Sequence, residues 1–174
     1  VVNAIKASNT TTKHKISGPT KLAGTSEYIQ NINKKIEKLG KSQSFITIQG
    51  PLNTSKKLIA HCIHNLSHRN NKTFFSFDCI EDHQEIIELF GDKTHNGLLA
   101  DANGSTLFLD NIDELTLSMQ QKLLNILNTK KLEIDKDNTV NLDIRLICSS
   151  IEDLGQKIKL GEFKQELYDK LCVI

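Results

Sequence analysis

The chain has 174 residues, 38% of them hydrophobic and 25% charged, which suits one globular domain with a core and excludes a disordered or membrane-embedded chain. The net charge of +1 excludes an overall field that would draw nucleic acid or an anionic membrane. Of 22 basic residues only Arg69 and Arg145 are arginine, which argues against dense bidentate phosphate recognition while leaving lysine as a point charge.

Residues 1–20 are rich in Ser, Thr, Asn and Lys and close on Gly18-Pro19, as a linker or loose arm does, and a single domain is expected over 21–174. Ser26 caps a predicted helix that runs to Leu39 with Ile29, Ile32, Ile36 and Leu39 on one face, and Gly40 is expected to end it. Phe45 to Gln49 reads as a strand stopped by Gly50-Pro51, and Thr54 to His68 as a helix with Leu58, Ile59, Cys62, Ile63 and Leu66 inward. A strand over Thr73–Phe77, a short helix over Gln84–Phe90 and a strand over Thr106–Leu109 follow. After these come a helix over Ser118–Asn128, a surface turn at Asp135–Asn138, a strand over Leu142–Cys148 and a helix over Glu162–Leu171. Strands alternating with helices predict an α/β fold, a mostly parallel sheet covered on both faces. Ligands of such sheets bind beyond the carboxyl ends of the strands. Those ends carry Gly50, Asp78, Asp110 and Ser149-Ser150.

Two segments carry chemistry. A phosphate loop follows the pattern G-x-x-x-x-G-K-S/T between a strand and a helix, because its backbone N–H groups must curl around phosphate oxygens. Gly50-Pro51-Leu52-Asn53-Thr54-Ser55-Lys56-Lys57 stands in that context with the first glycine and the lysine in register. Ser55 replaces the second glycine, Lys57 replaces the hydroxyl, and Pro51 removes one donor. On spacing alone, an ordinary strand–turn–helix corner with solvated lysines remains open. Thr106-Leu107-Phe108-Leu109-Asp110-Asn111 is the second segment, a buried strand running into a carboxylate suited to magnesium. Three histidines, His61, His64 and His68, fall near one helical face, and Lys34, Lys35, Lys38 and Lys41 cluster on the first helix. Solvated or core roles are the default for both groups, with metal binding by the histidines and a DNA-backbone patch on the lysines as the alternatives. Cys62, Cys79, Cys148 and Cys172 form no C-x-x-C pair and read as buried thiols of a reducing compartment. No signal peptide or membrane-length apolar run is visible, and a cytoplasmic location is expected.

Taken together, these motifs resemble the AAA+ domain of bacterial enhancer-binding proteins, the NtrC-type activators of sigma-54 RNA polymerase. The resemblance covers Leu22 to Val173. Leu22-Ala23-Gly24-Thr25-Ser26 looks like L-I-G-x-S, and Glu88-Leu89-Phe90-Gly91 is the family's E-L-F-G unchanged. Gly104 to Ile112 parallels G-G-T-L-F-L-D-E-I, Gln120 with Lys122-Leu123-Leu124 fits Q-x-K-L-L, and Asp143 to Ile147 fits D-V-R-L-I. Gly161 to Leu171 parallels G-x-F-R-x-D-L-Y-Y-R-L. The resemblance implies a phosphate-loop NTPase fold, a three-layer α/β/α core without the helical lid. It also implies a nucleotide site drawn from Gly50, Asn53, Thr54, Ser55, Lys56, Lys57, Asp110 and Ser150, with Asp110 as the magnesium ligand.

The departures from the family are concentrated where it does chemistry. Asn53 and Ser55 stand at the family's loop glycines, and Asn111 at the glutamate that polarises the attacking water. Asp78 stands at the asparagine that restrains that glutamate, Ser150 and Ile151 at the γ-phosphate sensor pair, and Lys164 and Lys170 at the two arginine fingers. Lysine keeps the charge but loses the guanidinium fork. After E-L-F-G the family carries a G-A-F-T-G-A loop that touches sigma-54; here only Asp92 to Asn96 separate Gly91 from Gly97-Leu98-Leu99. The resulting expectation is a degenerate regulator domain of bacterial transcription, defective in ATP hydrolysis and in sigma-54 contact, acting by assembly or signal transmission. ATP or ADP with magnesium, or no nucleotide at all, is the cofactor expectation, and cyclic di-GMP stays open. A homo-oligomer is the expected partner, and DNA would be met only through a separate domain, as in a two-component regulator. Two other readings stay open: a slow ATPase completed by a neighbouring subunit, and a ligand-free interaction scaffold.

Overall fold

The computed structural model describes residues 18–80, 85–92, 96–133 and 139–173. Most of the arm read at 1–20, the helix start at Gln84 and the turn at Asp135–Asn138 lie outside these residues. The element order is α1 (Glu27–Gly40), β1 (Ile46–Gln49), α2 (Lys56–Asn65), β2 (Phe74–Asp78), α3 (Glu85–Phe90), α4 (Gly97–Asp101) and β3 (Thr106–Asp110). It continues with α5 (Leu117–Thr129), β4 (Lys131–Glu133), β5 (Thr139–Asn141), β6 (Arg145–Ser150), α6 (Leu154–Lys159), α7 (Gln165–Lys170) and β7 (Cys172–Val173). Five strands form one parallel sheet in the order β2-β3-β6-β1-β7. β4 and β5 form a separate antiparallel hairpin, not expected from the sequence beyond its turn.

Alternation along the strands builds two cores. Phe75, Phe77, Leu107, Leu109, Leu146 and Cys148 enter one cluster with α5. Phe74, Phe108, Ile46, Ile48 and Ile147 enter the other, with Ile36 of α1 and Ala60, Cys62 and Ile63 of α2. A strand buried on both faces must be apolar at every position, which is why β3 reads as a continuous run. Cys62, Cys79 and Cys148 are buried free thiols. Among the described residues no helix is long and apolar enough to cross a membrane.

Several boundaries differ from the sequence expectation. α2 is ten residues rather than the fifteen of Thr54–His68, because Thr54 and Ser55 belong to the loop and the last turn breaks at Leu66. The strand expected over Leu142–Cys148 runs over Arg145–Ser150. Its first three residues are diverted, because Asp143 receives Arg69 on both its backbone and side-chain oxygens at 2.9 and 2.6 Å and Asn103 accepts from its N–H at 2.8 Å. α7 starts at Gln165 rather than Glu162.

Gly40 does not end α1 by a left-handed turn. It is the last helical residue, and a Cβ there would lie 2.5 Å from the Leu66 Cβ. Its role is close approach of α1 to the end of α2. Arg145, 1% exposed, donates to the Leu39 and Gly40 carbonyls at 2.6 and 3.4 Å. A guanidinium at a helix C-terminus meets its dipole and its free carbonyls. Burial, with the nearby Arg69 charge, lowers its pKa to about 10.

The histidine trio divides. His64 is buried with Nδ1 2.8 Å from the Thr106 hydroxyl, and His61 stacks on Phe74. No group that could hold a metal forms among the described residues.

Two predictions follow from this packing. Gly40→Ala overfills the α1–α2 contact and should cost about 1–3 kcal/mol, read as a lowered midpoint in urea unfolding. Burial, reinforced by the His61 charge, pulls the His64 imidazole down to about 4. The folded state then keeps it neutral while the unfolded chain takes a proton near ~6.5. Stability is therefore complete above that value and is lost as pH falls toward 4. His64→Gln, which retains a partner for Thr106, should remove this part of the slope in pH-dependent thermal melts.

Candidate functional site

The sheet register sets the expected residues side by side. Asp78 pairs with Asp110, Leu109 with Cys148, and Gln49 with Ser150. Asp110 therefore stands beside Ser149, and Gly50 leaves β1 beside Ser150, to whose carbonyl its N–H donates at 3.1 Å. On the other flank the Cys79 N–H donates to the Asp110 carbonyl at 2.9 Å. Asp78, Asp110, Ser149-Ser150 and Gly50 thus form one row along the carboxyl edge.

The loop after β1 is built despite its replaced glycines. Asn53 takes φ 61°, the left-handed conformation a glycine would otherwise supply, and asparagine is among the side chains that tolerate it. Ser55 sits at φ −75° and needs no glycine. The Thr54 hydroxyl donates to the Pro51 carbonyl at 2.8 Å. Lys56 is 6% exposed, and its ammonium donates to the Gly50 and Pro51 carbonyls at 3.0 and 2.9 Å. That ammonium braces the loop from inside. Lys57, one residue on, is exposed and has no such partner among the described residues.

At the end of β3 the chain turns sharply. Asn111 adopts φ 57°, is buried, and leads into a single 3-10 turn over Ile112–Glu114. Its side-chain amide donates to Asp78 Oδ1 at 2.9 Å, and its backbone N–H donates to the Ser149 hydroxyl at 3.0 Å. Ser149 in turn donates to Asp110 Oδ1. Asp78 Oδ1 also accepts from the Ile80 N–H at 3.2 Å. The amide therefore sits buried at the end of β3 and the carboxylate sits exposed at the end of β2. An amide donor cannot take a proton from water; Asp78, the one carboxylate in the pair, is already engaged by two donors.

Residues outside the expected site hold this edge together. The buried Asp113 accepts from the Ile151 and Glu152 N–H groups at 3.2 and 3.0 Å, fixing the loop after β6 to the turn after β3. Lys157 donates to the Asp113 carbonyl at 2.9 Å, with Glu152, Glu114 and Glu162 carboxylates at 3.4, 3.8 and 3.9 Å. Gln120 donates to the Leu115 and Glu162 carbonyls at 2.7 and 2.9 Å and accepts from the Lys164 N–H at 2.8 Å. Period-2 alternation marks the strand ends, but not which hydroxyl or acid crosses between them. Ser150 turns its hydroxyl to the Glu152 carbonyl at 2.6 Å. Lys164 and Lys170 lie on and before α7, which packs on α5, and no hydrogen bond joins them to the edge row among the described residues.

The α3–α4 joint is equally tight. Gly91 and Gly97 have φ 80° and 73°, and a Cβ on Gly97 would lie 2.2 Å from the Gly91 nitrogen and 2.5 Å from the Phe90 carbonyl carbon. The two glycines bring the helix ends into backbone contact.

This edge, with its loop, its left-handed Asn53 and its Asp110, matches a known family over nearly the whole fold. A model of the sigma-54 interaction domain matches residues 22–174. The chain belongs to that family, the AAA+ domain of sigma-54-dependent transcriptional regulators. It is 33% identical to the transcriptional regulator VasH of Vibrio cholerae over 162 residues, 86% of this chain and 31% of that protein. To the transcriptional regulatory protein ZraR of Salmonella typhimurium it is 29% identical over 165 residues, 88% of this chain and 37% of that protein. This sigma-54 interaction domain thus spans about a third of the length of these curated relatives. Its fold superposes on crystal structures of NtrX from Brucella abortus in complex with ATP and with ADP, each with a TM-score of 0.83, at 31% and 30% identity. Those matches cover 92% and 90% of this chain and 38% and 37% of NtrX.

In phosphate-loop NTPases a magnesium ion is held by the hydroxyl after the loop lysine and by the aspartate ending the third strand. Of that donor pair only the aspartate is present here. Lys57 offers no oxygen at the position of that hydroxyl, which leaves Asp110 as the candidate ligand. Asp110 accepts from Ser149 through Oδ1, and Asp78 is turned to Asn111 and Ile80.

The left-handed turn also constrains any attempt to install a carboxylate at the end of β3. Asn111→Glu should destabilise the fold by about 1–2 kcal/mol through its positive φ, with added repulsion from Asp78. Urea unfolding of the variant against the parent checks this; an unchanged midpoint would mean that the turn relaxes without strain.

Proposed function

We propose that this domain binds an adenine nucleotide at the Gly50–Lys57 loop without turning it over at a useful rate. It serves its regulator by nucleotide-dependent assembly or signal transmission rather than by remodelling sigma-54. The observation that carries the reading is the Asn111 amide donating to Asp78, where hydrolysis calls for a group that orients and deprotonates water. Lys164 and Lys170 add charge but no bidentate fork for the spread phosphoryl charge.

Binding is supported by the loop geometry, with Asn53 in the conformation that curls N–H groups around an anion and the amino terminus of α2 behind it. NtrX, whose core superposes on this one, was crystallised with ATP and with ADP. Loss of sigma-54 contact is supported by the α3–α4 joint: Gly97 abuts Phe90 and Gly91 where the contact loop would have to leave.

Calorimetry with ATP, ADP and cyclic di-GMP, paired with a phosphate-release assay, tests the proposal. ATP and ADP should bind, Lys56→Ala should weaken both by about tenfold, roughly 1.4 kcal/mol, and ATP turnover should stay at background. Turnover that disappears in Lys56→Ala would establish a slow ATPase instead. Heat with cyclic di-GMP alone would reassign the ligand, and no heat with any of the three would leave an interaction scaffold.

A further inference from the structure

At the amino edge of the sheet, opposite the nucleotide loop, we infer a second binding site, for a small ring-bearing carboxylate. A cavity of about 260 Å³ opens there. Ile126 and Leu127 of α5 and Phe45, which precedes β1, give it apolar walls, and Arg69, Lys130 and Asp143 give it charge. The strands β1 and β6 begin at this edge and carry Gly50 and Ser150 at the other, so the site is independent of the nucleotide reading.

Charge, donors and size select that ligand. Arg69 and Lys130 stand against the single carboxylate of Asp143, so the lining residues carry one positive charge in excess. One monoanion balances it. Arg69 is also held in place: its terminal nitrogens donate to the Asp143 carbonyl and Oδ1 at 2.9 and 2.6 Å. Asp143 is in turn tied to Asn103 and Gly104. Those two bonds use two of the five guanidinium donors, and the rest have no partner among the described residues. A fixed guanidinium with a free N–H edge meets a carboxylate in its own plane. Only two of the 22 basic residues are arginine; Arg145 is buried against the end of α1, whereas Arg69 lines the cavity. Lys130, exposed at φ 54° after α5, has no hydrogen bond or ion pair among the described residues. The walls supply the rest. An apolar cavity of about 150 Å³ takes up benzene, so the volume here admits a ring with a short acid arm. A ring set against Ile126 and Leu127 leaves water, a gain that inorganic phosphate cannot have.

The experiment follows backbone amide NMR shifts of the whole chain during titration with phenylacetate. Phenylacetamide serves as the uncharged counterpart and inorganic phosphate as the anion without a ring. Phenylacetate should move the amides of Phe45, Lys130 and Asp143 in a saturable way, with a Kd of about 1 mM. Phenylacetamide and phosphate should each bind about tenfold more weakly or less. Arg69→Lys keeps the charge but loses the fork, and should weaken phenylacetate by about tenfold. Lys130→Gly removes the ammonium at a left-handed position that glycine suits, and should weaken it by about threefold. Should circular dichroism show Arg69→Lys unfolded, Lys130→Gly decides alone. Phenylacetamide or phosphate binding as tightly as phenylacetate overturns the inference, as does an affinity that neither variant changes. Shifts confined to the carboxyl edge, or no saturable shift at all, overturn it as well.

Discussion

Strand β3 is buried on both faces, with Leu107, Phe108 and Leu109 at 0% exposure. Leu107 and Leu109 belong to one core and Phe108 to the other. A shift of one residue would exchange the two sets and place Phe108 among the side chains packed on α5. The register of β2 on one side and β6 on the other is held by the same alternation. Once those three strands are fixed, Asp78, Asp110 and Ser149 have no freedom left: they are the residues at which the apolar run stops. Core packing thus composes the site edge, and polar chemistry begins at the first position where the two cores no longer close over the sheet.

That dependence explains how much was legible in the sequence. The succession of β1, β2, β3 and β6 along the chain, the burial of β3 and the placement of Gly50, Asp78, Asp110 and Ser150 at carboxyl ends follow from hydrophobic pattern, because the pattern is what folding obeys. Four kinds of feature escaped it. The strand over Leu142–Cys148 slid toward Ser150 because a side-chain partner, Arg69, captured Asp143 from more than seventy positions away. α4, α6 and β7 are too short to show a period. The binding of Asp113 to the loop after β6, and of Ser149 to Asp110, depends on which side chains meet across strands, a fact of three dimensions. Gly40 carried a plausible local meaning, a helix stop, and a different real one, the approach of Leu66.

The loop shows a subtler difference between letters and geometry. By its letters it has lost its glycines. By its backbone it has lost little, since the conformation that matters is the positive φ, and Asn53 adopts it. The same tolerance operates at Asn111. Asparagine is the side chain that can occupy a left-handed turn while sending an amide to a neighbour, and here the neighbour is an aspartate. Asparagine thus holds a left-handed conformation at both positions.

These two outcomes separate binding from turnover on physical grounds. Holding a polyphosphate requires donors and positive charge in a concave backbone, and those tolerate substitution because many cations can supply the field. Cleaving it requires a proton acceptor and charges aligned to within a fraction of an ångström with atoms that move in the transition state, which few arrangements supply. Asn111 detracts only from the second. The substitutions therefore do not amount to general decay of the site. Under the proposed reading they move it along one axis, from a ligand that is consumed toward a ligand that is kept, and a kept ligand is useful to a regulator chiefly as a signal of its own presence.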